Sequence, residues 1–329
     1  MQRLSVVIAN YNYAQYVGAA VDSALALRWG DVEVVVVDDG STDGSAEVLE
    51  RYADRVRLIS LANGGQRVAA NRGFAESTGD VVVFLDADDV LPPELAERLA
   101  EVWTPSVSKV QFRMQRIDEA GVPFGEPFPQ WRSVPSPADI RRWVVRTSAQ
   151  PTPPGSGNAY ARWFLDRIFP LDASIGESAD SGCIAAAPFH GDVVTVPDTV
   201  VGYRKHGAND SNLLSDDTRF AREVERARAR WRFAQQSIGV RPEEVDERPL
   251  FRSRELLQFR AAAVRSTPGE RPLPGDGRLR LFLDVLRSPL HPGDQSWRAR
   301  LVLAAWCLAV LSVPRSLVRP LVVLRWRRR

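Results

Sequence analysis

The chain is short of cysteine, of lysine and of any long apolar run, and each shortage removes a class of protein. Two cysteines in 329 residues, Cys183 and Cys307, make neither a disulfide framework nor a thiolate metal site, and they favour a reducing compartment. The opening string "MQRLSVVIANYN" has too brief an apolar run for a signal peptide and reads as a first strand, which points to a cytoplasmic catalytic part. Near the other end, Leu301 to Val313 would reach only about 20 Å as a helix at about 1.5 Å per residue. A bilayer core of about 30 Å asks for about twenty residues, so a conventional span is not expected. Glycine is missing where two nucleotide folds require it. The turn after the first strand is "ANYNYAQYV", with side chains where a dinucleotide site needs bare backbone, and no GxxxxGK[ST] string occurs. Lysine occurs only at 109 and 205 among 43 basic residues, a bias that we attribute to genome composition rather than to chemistry.

What is present is an ordinary globular composition, 44% hydrophobic and 26% charged, long enough for one large core with an appendage. The net charge of +2 hides an uneven distribution, because Trp297 to Arg329 holds eight arginines and no acid. The rest of the chain is therefore at −6, which disfavours a nucleic-acid binder. The first hundred residues alternate between continuous apolar runs and helical spacings. "LSVVIA", "VEVVVVDDG", "VRLISL" and "DVVVFLD" are predicted strands covered on both faces. The segments between them carry helical periodicity, so the fold class is α/β with a mostly parallel sheet. Further on, "SKVQFRMQRI" is a fifth strand, Pro123 to Pro137 a proline-rich passage, and "GESADSGCIAAAPF" a helix. "DVVTVPDTVVGYRKHGANDS" reads as a strand pair, Thr218 to about Val264 as helical, and Thr267 to Gly277 as a linker before a last helix and the basic tail.

Ligands of such sheets bind beyond the carboxyl ends of the strands. Those ends carry Asn10 and Asn12, Asp38 and Asp39, Asn63, and then Asp86 and Asp88, four polar or acidic ends on one rim. The last of them, in "GDVVVFLDADDVL", drives a buried strand into three acids. Solvent, a phosphoryl group under attack, and a metal holding phosphates all remain possible occupants. A phosphatase of the haloacid dehalogenase kind accounts for DxD alone, but Lys109 and Lys205 stand in poor contexts for its lysine. Two carboxylates at a strand end offer hard oxygen ligands to Mn²⁺ or Mg²⁺ with positions left for phosphate oxygens.

Taken in order, "SVVIANYNYAQYVGAAVDSAL", "EVVVVDDGSTDGS", "NGGQRVAANRGFAESTGDVVVFLDADD" and "YRKHGANDS" resemble the signatures of family 2 glycosyltransferases with the GT-A fold, across roughly residues 3 to 211. The resemblance implies a GT-A domain over 1–215 and a helical region over 216–329 that ends in the basic tail from about 297. It also implies an inverting, metal-dependent transfer from a nucleotide-diphosphate sugar, with a UDP-sugar favoured, to a glycan or lipid-linked acceptor in envelope or exopolysaccharide assembly. Ala9, Asn10, Tyr11 and Asn12 would line the nucleotide, Asp38 and Asp39 would accept from base or ribose, and Gln66, Ala70, Asn71 and Arg72 would lie beside it. Asp86, Ala87 and Asp88 match the DxD, with Asp88 on the metal, Asp86 facing the donor, and His206 near the metal or diphosphate. Asp89 reads instead as a cap for the following helix.

The family's usual "ED" pair for the base is absent, and "GESADSGC" stands in its place, so Asp180 is the expected base with Glu177 in reserve. A degenerate, non-catalytic assembly partner is the alternative that this departure leaves open. "PPGSGNAYARWFL" is expected to shape the donor-sugar or acceptor pocket. The tail, an apolar helix among arginines, suits docking on an anionic cytoplasmic leaflet, and a buried helix closing the domain is its rival.

Overall fold

The computed structural model describes residues 3–176, 179–207, 218–267 and 269–326. They fall into two compact units, Met1–Ala138 with Pro151–Gly207 and Ser237–Gly239, and Asp139–Gln150 with Ala208–Gln236 and Val240–Arg329.

The first unit is built on a seven-stranded sheet. Its strands are β1 (Leu4–Asn10), β2 (Val32–Asp38), β3 (Arg57–Ser60), β4 (Val81–Asp86), β5 (Val107–Ile117), β6 (Asn158–Ala161) and β7 (Asp192–Arg204), in the order β3-β2-β1-β4-β6-β5-β7. Pairings β1–β2, β1–β4, β2–β3 and β5–β7 are parallel, and only β6 runs antiparallel to both its neighbours. Helices α1 (Val17–Leu25), α2 (Ser45–Glu50), α3 (Gln66–Glu76) and α4 (Leu95–Val102) follow the first four strands in alternation. The valine runs are strands for the reason their composition suggests. Val34 to Val37 and Val81 to Val83 are buried on both faces, where β-branched side chains pack well on a pleated surface. Helix α3 lies close on the sheet because Gly73 has no side chain: a Cβ there would stand 2.3 Å from Val7 Cγ1.

Two expectations are corrected here. "DVVTVPDTVVGYR" is one strand, β7, parallel to β5, not a pair. Its register jumps from Phe112↔Val196 to Arg113↔Val200, so Pro197, Asp198 and Thr199 are absorbed in a bulge where a missing N–H does no harm. "NAYA" inside the glycine and proline loop is a strand, fully buried between β4 and β5. Four residues are too few to show a period.

The second unit holds most of α5 (Pro137–Thr147). Short α6 (Arg162–Leu165) and α7 (Ala179–His190) belong to the first unit. The second continues with α8 (Arg219–Gln236), α9 (Arg248–Arg252), α10 (Arg254–Ser266), α11 (Arg278–Arg287), α12 (Trp297–Ser312) and α13 (Arg315–Trp326). Its core joins Phe220, Ala261, Leu281, Val285, Leu303, Cys307, Val310 and Trp326. The stretch expected as a linker is packed instead: Leu273 and Asp276 are buried, and Asp276 receives the fully buried Arg260 at 2.6 Å. One side of the apolar tail helix, with Leu303, Cys307, Val310 and Leu311, is spent on this core. Among the described residues no helix is long and apolar enough to cross a membrane.

Candidate active site

The carboxyl ends of β1, β2 and β4 stand side by side, because Asn10 is in register with Asp38 and Ala9 with Asp86. At the first end, buried Asn10 donates its side-chain N–H to Asp38 Oδ1 at 2.7 Å. The Ser41 hydroxyl donates to the same oxygen at 2.6 Å. The Asn10 side-chain oxygen is buried without a hydrogen-bond partner among the described residues. Asn12 takes the left-handed conformation, φ 57°, and accepts from Thr42 N at 2.7 Å, which ties the β1 and β2 loops together. Tyr11 beside it is exposed. Asp39 spends both oxygens on the loop before α3, accepting from Gly64 N at 2.9 Å and Gly65 N at 2.7 Å.

From α3, Gln66 reaches the acids, donating to Asp86 Oδ1 at 3.0 Å. Asn71 is turned away and forms a two-point clasp on the Leu171 backbone, at 2.9 and 2.8 Å. Arg72 is half exposed and paired with Glu76 one turn on, at 2.8 Å. Neither reaches the cleft, because successive helical positions point in different directions.

At the end of β4 the three acids separate by environment. Asp89 is not a helix cap. It is buried and accepts from Ser156 Oγ at 2.7 Å and from the Arg204 backbone N–H at 2.9 Å. Burial and the neighbouring Asp88 push its carboxyl up to about 7. Asp86 is pushed well above the usual carboxylate range by burial and by the charges of Asp89, Asp88 and Asp180. Asp88 Oδ2 lies 2.9 Å from His206 Nε2, and that ring is stacked 4.9 Å from Tyr16 and edge-on 5.7 Å from Tyr13. Arg204 closes the arrangement from behind, donating Nε to the Asp88 carbonyl at 2.8 Å with its guanidinium 5.2 Å from the Tyr16 ring.

Asp180, in the first turn of α7, accepts from Gly155 N at 2.9 Å. Gly155 stands between the two acids, so that a Cβ there would be 3.0 Å from Asp86 Oδ2 and 3.6 Å from Asp180 Oδ2. A small cleft is lined by Ala9, Gln66, Ala70, Asp86, Gly155 and Asp180, among others. Glu177, the reserve base, lies outside the described residues, as do the last three arginines of the tail.

Among the described residues no three His, Cys, Asp or Glu side chains form a ready group around a metal position. What a cation would meet is Asp86 and Asp88, oxygen donors in a crowd of like charge. That donor set fits a hard divalent ion better than a soft one. His206, with Nε2 at 2.9 Å from Asp88 Oδ2, stands beside that donor set.

Beneath the site lies a residue that sequence reasoning set aside. Lys109 is fully buried, and its Nζ donates to Gln111 Oε1 at 3.1 Å, Thr152 Oγ1 at 2.8 Å and Asn158 Oδ1 at 3.0 Å. Asn158 in turn donates to the carbonyls of Pro153, Pro154 and Gly155 at 3.1 to 3.2 Å, holding the loop that contacts Asp180 and Asp89. Burial pulls the Lys109 ammonium down to about 7, against the attraction of Asp180. An unfolded lysine keeps its proton to about pH 10.4. Between these values the unfolded chain binds the extra proton, so stability rises with pH across that window. Lys109→Met is expected to remove this rise. Urea midpoints at about pH 7 and about pH 9.5 test it, and wild type should gain on the variant at the higher pH.

Residues 5–148 match the family described as Glycosyl transferase family 2. An uncharacterized glycosyltransferase of Nostoc sp. is 39% identical over 215 residues, covering 63% of this chain and 66% of that protein. The uncharacterized glycosyltransferase YibD of Escherichia coli is 40% identical over 100 residues, 30% of this chain and 29% of its own length. Among solved structures, Staphylococcus aureus TarS 1–349 in complex with UDP-GlcNAc aligns with 98% of this chain and 91% of its own, at a TM-score of 0.54 and 15% identity. The mannosyltransferase PcManGT from Pyrobaculum calidifontis, in complex with GDP-Man and Mn²⁺, aligns with 99% and 88%, at 0.52 and 19%. The sheet, its order and these likenesses define a GT-A fold. The match to glycosyl transferase family 2 lies in the segment 5–148, and the chain spans less than two thirds of the length of the curated relatives it matches. The fold and the matched segment are therefore not those of the phosphatase that the acidic triplet alone allowed.

Proposed function

We propose that the chain transfers a sugar, with inversion, from a nucleotide-diphosphate donor to an acceptor hydroxyl. The observation that carries this reading is the cleft that unites Ala9, Gln66, Asp86 and Asp180 at the strand ends. The unpartnered Asn10 oxygen, beside Asp38, accepts an N–H of the base. Gln66 holds Asp86 toward the donor, and His206, stacked on Tyr16, sets the rotamer of Asp88. Asp180 takes the proton of the attacking hydroxyl, its own position set by the Gly155 amide. Attack from the face opposite the departing nucleotide inverts the anomeric centre. A Mn²⁺ or Mg²⁺ ion held by Asp88, with Asp86 on the donor side, would supply charge neutralisation for the leaving diphosphate.

Two neighbours of the same fold support the donor class, one in complex with UDP-GlcNAc and one with GDP-Man and Mn²⁺. A UDP-sugar is our first choice. The acceptor in this reading is a glycan or lipid-linked hydroxyl of envelope or exopolysaccharide assembly. The arginine-rich end of the chain supports a place at the cytoplasmic face of the membrane.

A thermal-shift series with UDP, GDP, CMP and dTDP, each with and without Mn²⁺, tests the donor and the cation together. Ligand at a hundredfold excess over Kd is expected to stabilise the wild type by about 2.7 kcal/mol. Asp88→Asn should lose the Mn²⁺-dependent part while melting unchanged without ligand. An equal shift in the variant overturns the role of Asp88, and no shift with any of the four overturns the donor class.

A further inference from the structure

Helix α11 is apolar on two sides. Leu281 and Val285, one turn apart, are fully buried in the second unit's core. Leu279, Phe282, Leu283 and Leu286 recur at the same spacing on the other side and are 41 to 77% exposed. An outward apolar stripe of this kind has no use in a solvated helix, whose outer face is ordinarily polar. The stripe does not stand alone. Ten of the seventeen large hydrophobic side chains exposed among the described residues fall between Leu279 and Leu324, and Trp297 and Leu301, one turn apart at the start of α12, are among them.

The charge around this face decides its occupant. Between Arg278 and Trp326 six arginines are exposed and no acid is. The two acids of that span, Asp284 and Asp294, are only partly accessible, and Asp284 faces inward to Arg260 at 2.7 Å. A second copy meeting this face isologously would set arginine against arginine with no exposed acid to pair. A surface of anionic headgroups over hydrocarbon satisfies both features: leucines, Phe282 and Trp297 enter the boundary while the arginine heads stay among phosphates. We propose that the outward face of α11, with the start of α12, docks this protein on an anionic bilayer surface. The inference rests on the membrane location of the proposed function. It assigns that contact mainly to α11, since the inner side of α12 is already committed to the core.

Co-sedimentation of the full chain with vesicles tests it, without donor or acceptor, so that a failure leaves the transferase reading standing. Wild type is expected to sediment with phosphatidylcholine vesicles containing about 30 mol% phosphatidylglycerol and not with phosphatidylcholine alone. Raising salt from about 0.1 M to about 0.5 M should weaken it. The triple variant Leu279→Ser/Phe282→Ser/Leu286→Ser should bind more than about tenfold more weakly with an unchanged melting temperature. Arg287→Glu/Arg298→Glu, which leaves the apolar side chains in place, should lose the preference for anionic vesicles. Wild type that binds neither vesicle, or a triple variant that binds as well as wild type, overturns the proposal. So does a wild-type dimer in light scattering that the triple variant renders monomeric, since the face would then belong to a second copy.

Discussion

Asp180→Asn is expected to lower kcat for sugar transfer by about 10²- to 10⁴-fold, the usual contribution of a positioned general base, with nucleotide affinity essentially unchanged. The substitution is chosen for what it preserves. An asparagine oxygen still accepts from Gly155 N, which the carboxylate does at 2.9 Å, so the Gly155–Ser156 loop keeps its anchor. What disappears is the capacity to take a proton. A merely structural acid would show the opposite pattern, with tolerance of asparagine and loss of folding on truncation to alanine. The measurement is kcat and KM for transfer, with nucleotide affinity taken separately. If Asp180→Asn retains transfer and Glu177→Gln abolishes it, the base is Glu177. If both retain it, neither acid is the base; a wild type without transfer from any donor is what would return the degenerate-partner reading.

The largest effect on stability is expected from Arg260→Met. Its guanidinium is wholly buried, bonded to Asp276 at 2.6 Å and Asp284 at 2.7 Å, and lies 4.8 Å from the Phe251 ring. Assembling such a cluster from apolar residues could be no worse, because desolvation consumes most of the Coulombic gain. Removing one member is different, since it leaves the fully buried Asp276 carboxylate with no cation and only the Leu273 backbone N–H, at 3.0 Å, to hold it. A loss of about 3–5 kcal/mol follows, or a fall in melting temperature on the order of 10 °C. The double variant Arg260→Met/Asp276→Leu should recover much of it. A single variant that melts like wild type would mean that the cluster is open to water.

The acid rim was legible in advance because each member ends an apolar run, and an apolar run predicts both a strand and where it stops. Asp38, Asp39, Asp86 and Asp88 stand at strand ends, and Asp180 lies in the helix expected to hold it, in its first turn. Asn71 and Arg72 show the limit of this kind of reading. They adjoin Gln66 in sequence and on one helix, but one clasps Leu171 and the other pairs with Glu76. Ser156 and Gly155 were legible only as part of a glycine and proline loop expected to shape a pocket, and their contacts to Asp89 and Asp180 were not. Their partners are 67 and 25 residues distant, and no local period records such a contact.

The lysine count gains a second meaning. A chain that uses arginine for nearly every cation keeps lysine at 109, where three side-chain oxygens surround one nitrogen. That is a place for a compact three-donor ammonium and not for a planar five-donor fork.

By itself the sequence determined the α/β class, the strand ends and the acids on them, because burial on both faces and periodicity are local properties written in consecutive residues. Tertiary structure alone decided which of those acids share a cleft, that β6 completes the sheet, that Lys109 lies beneath the loop, and that α11 turns an apolar face outward. These depend on register and packing between segments far apart in the chain, where the energy lies in contacts that neither segment encodes alone.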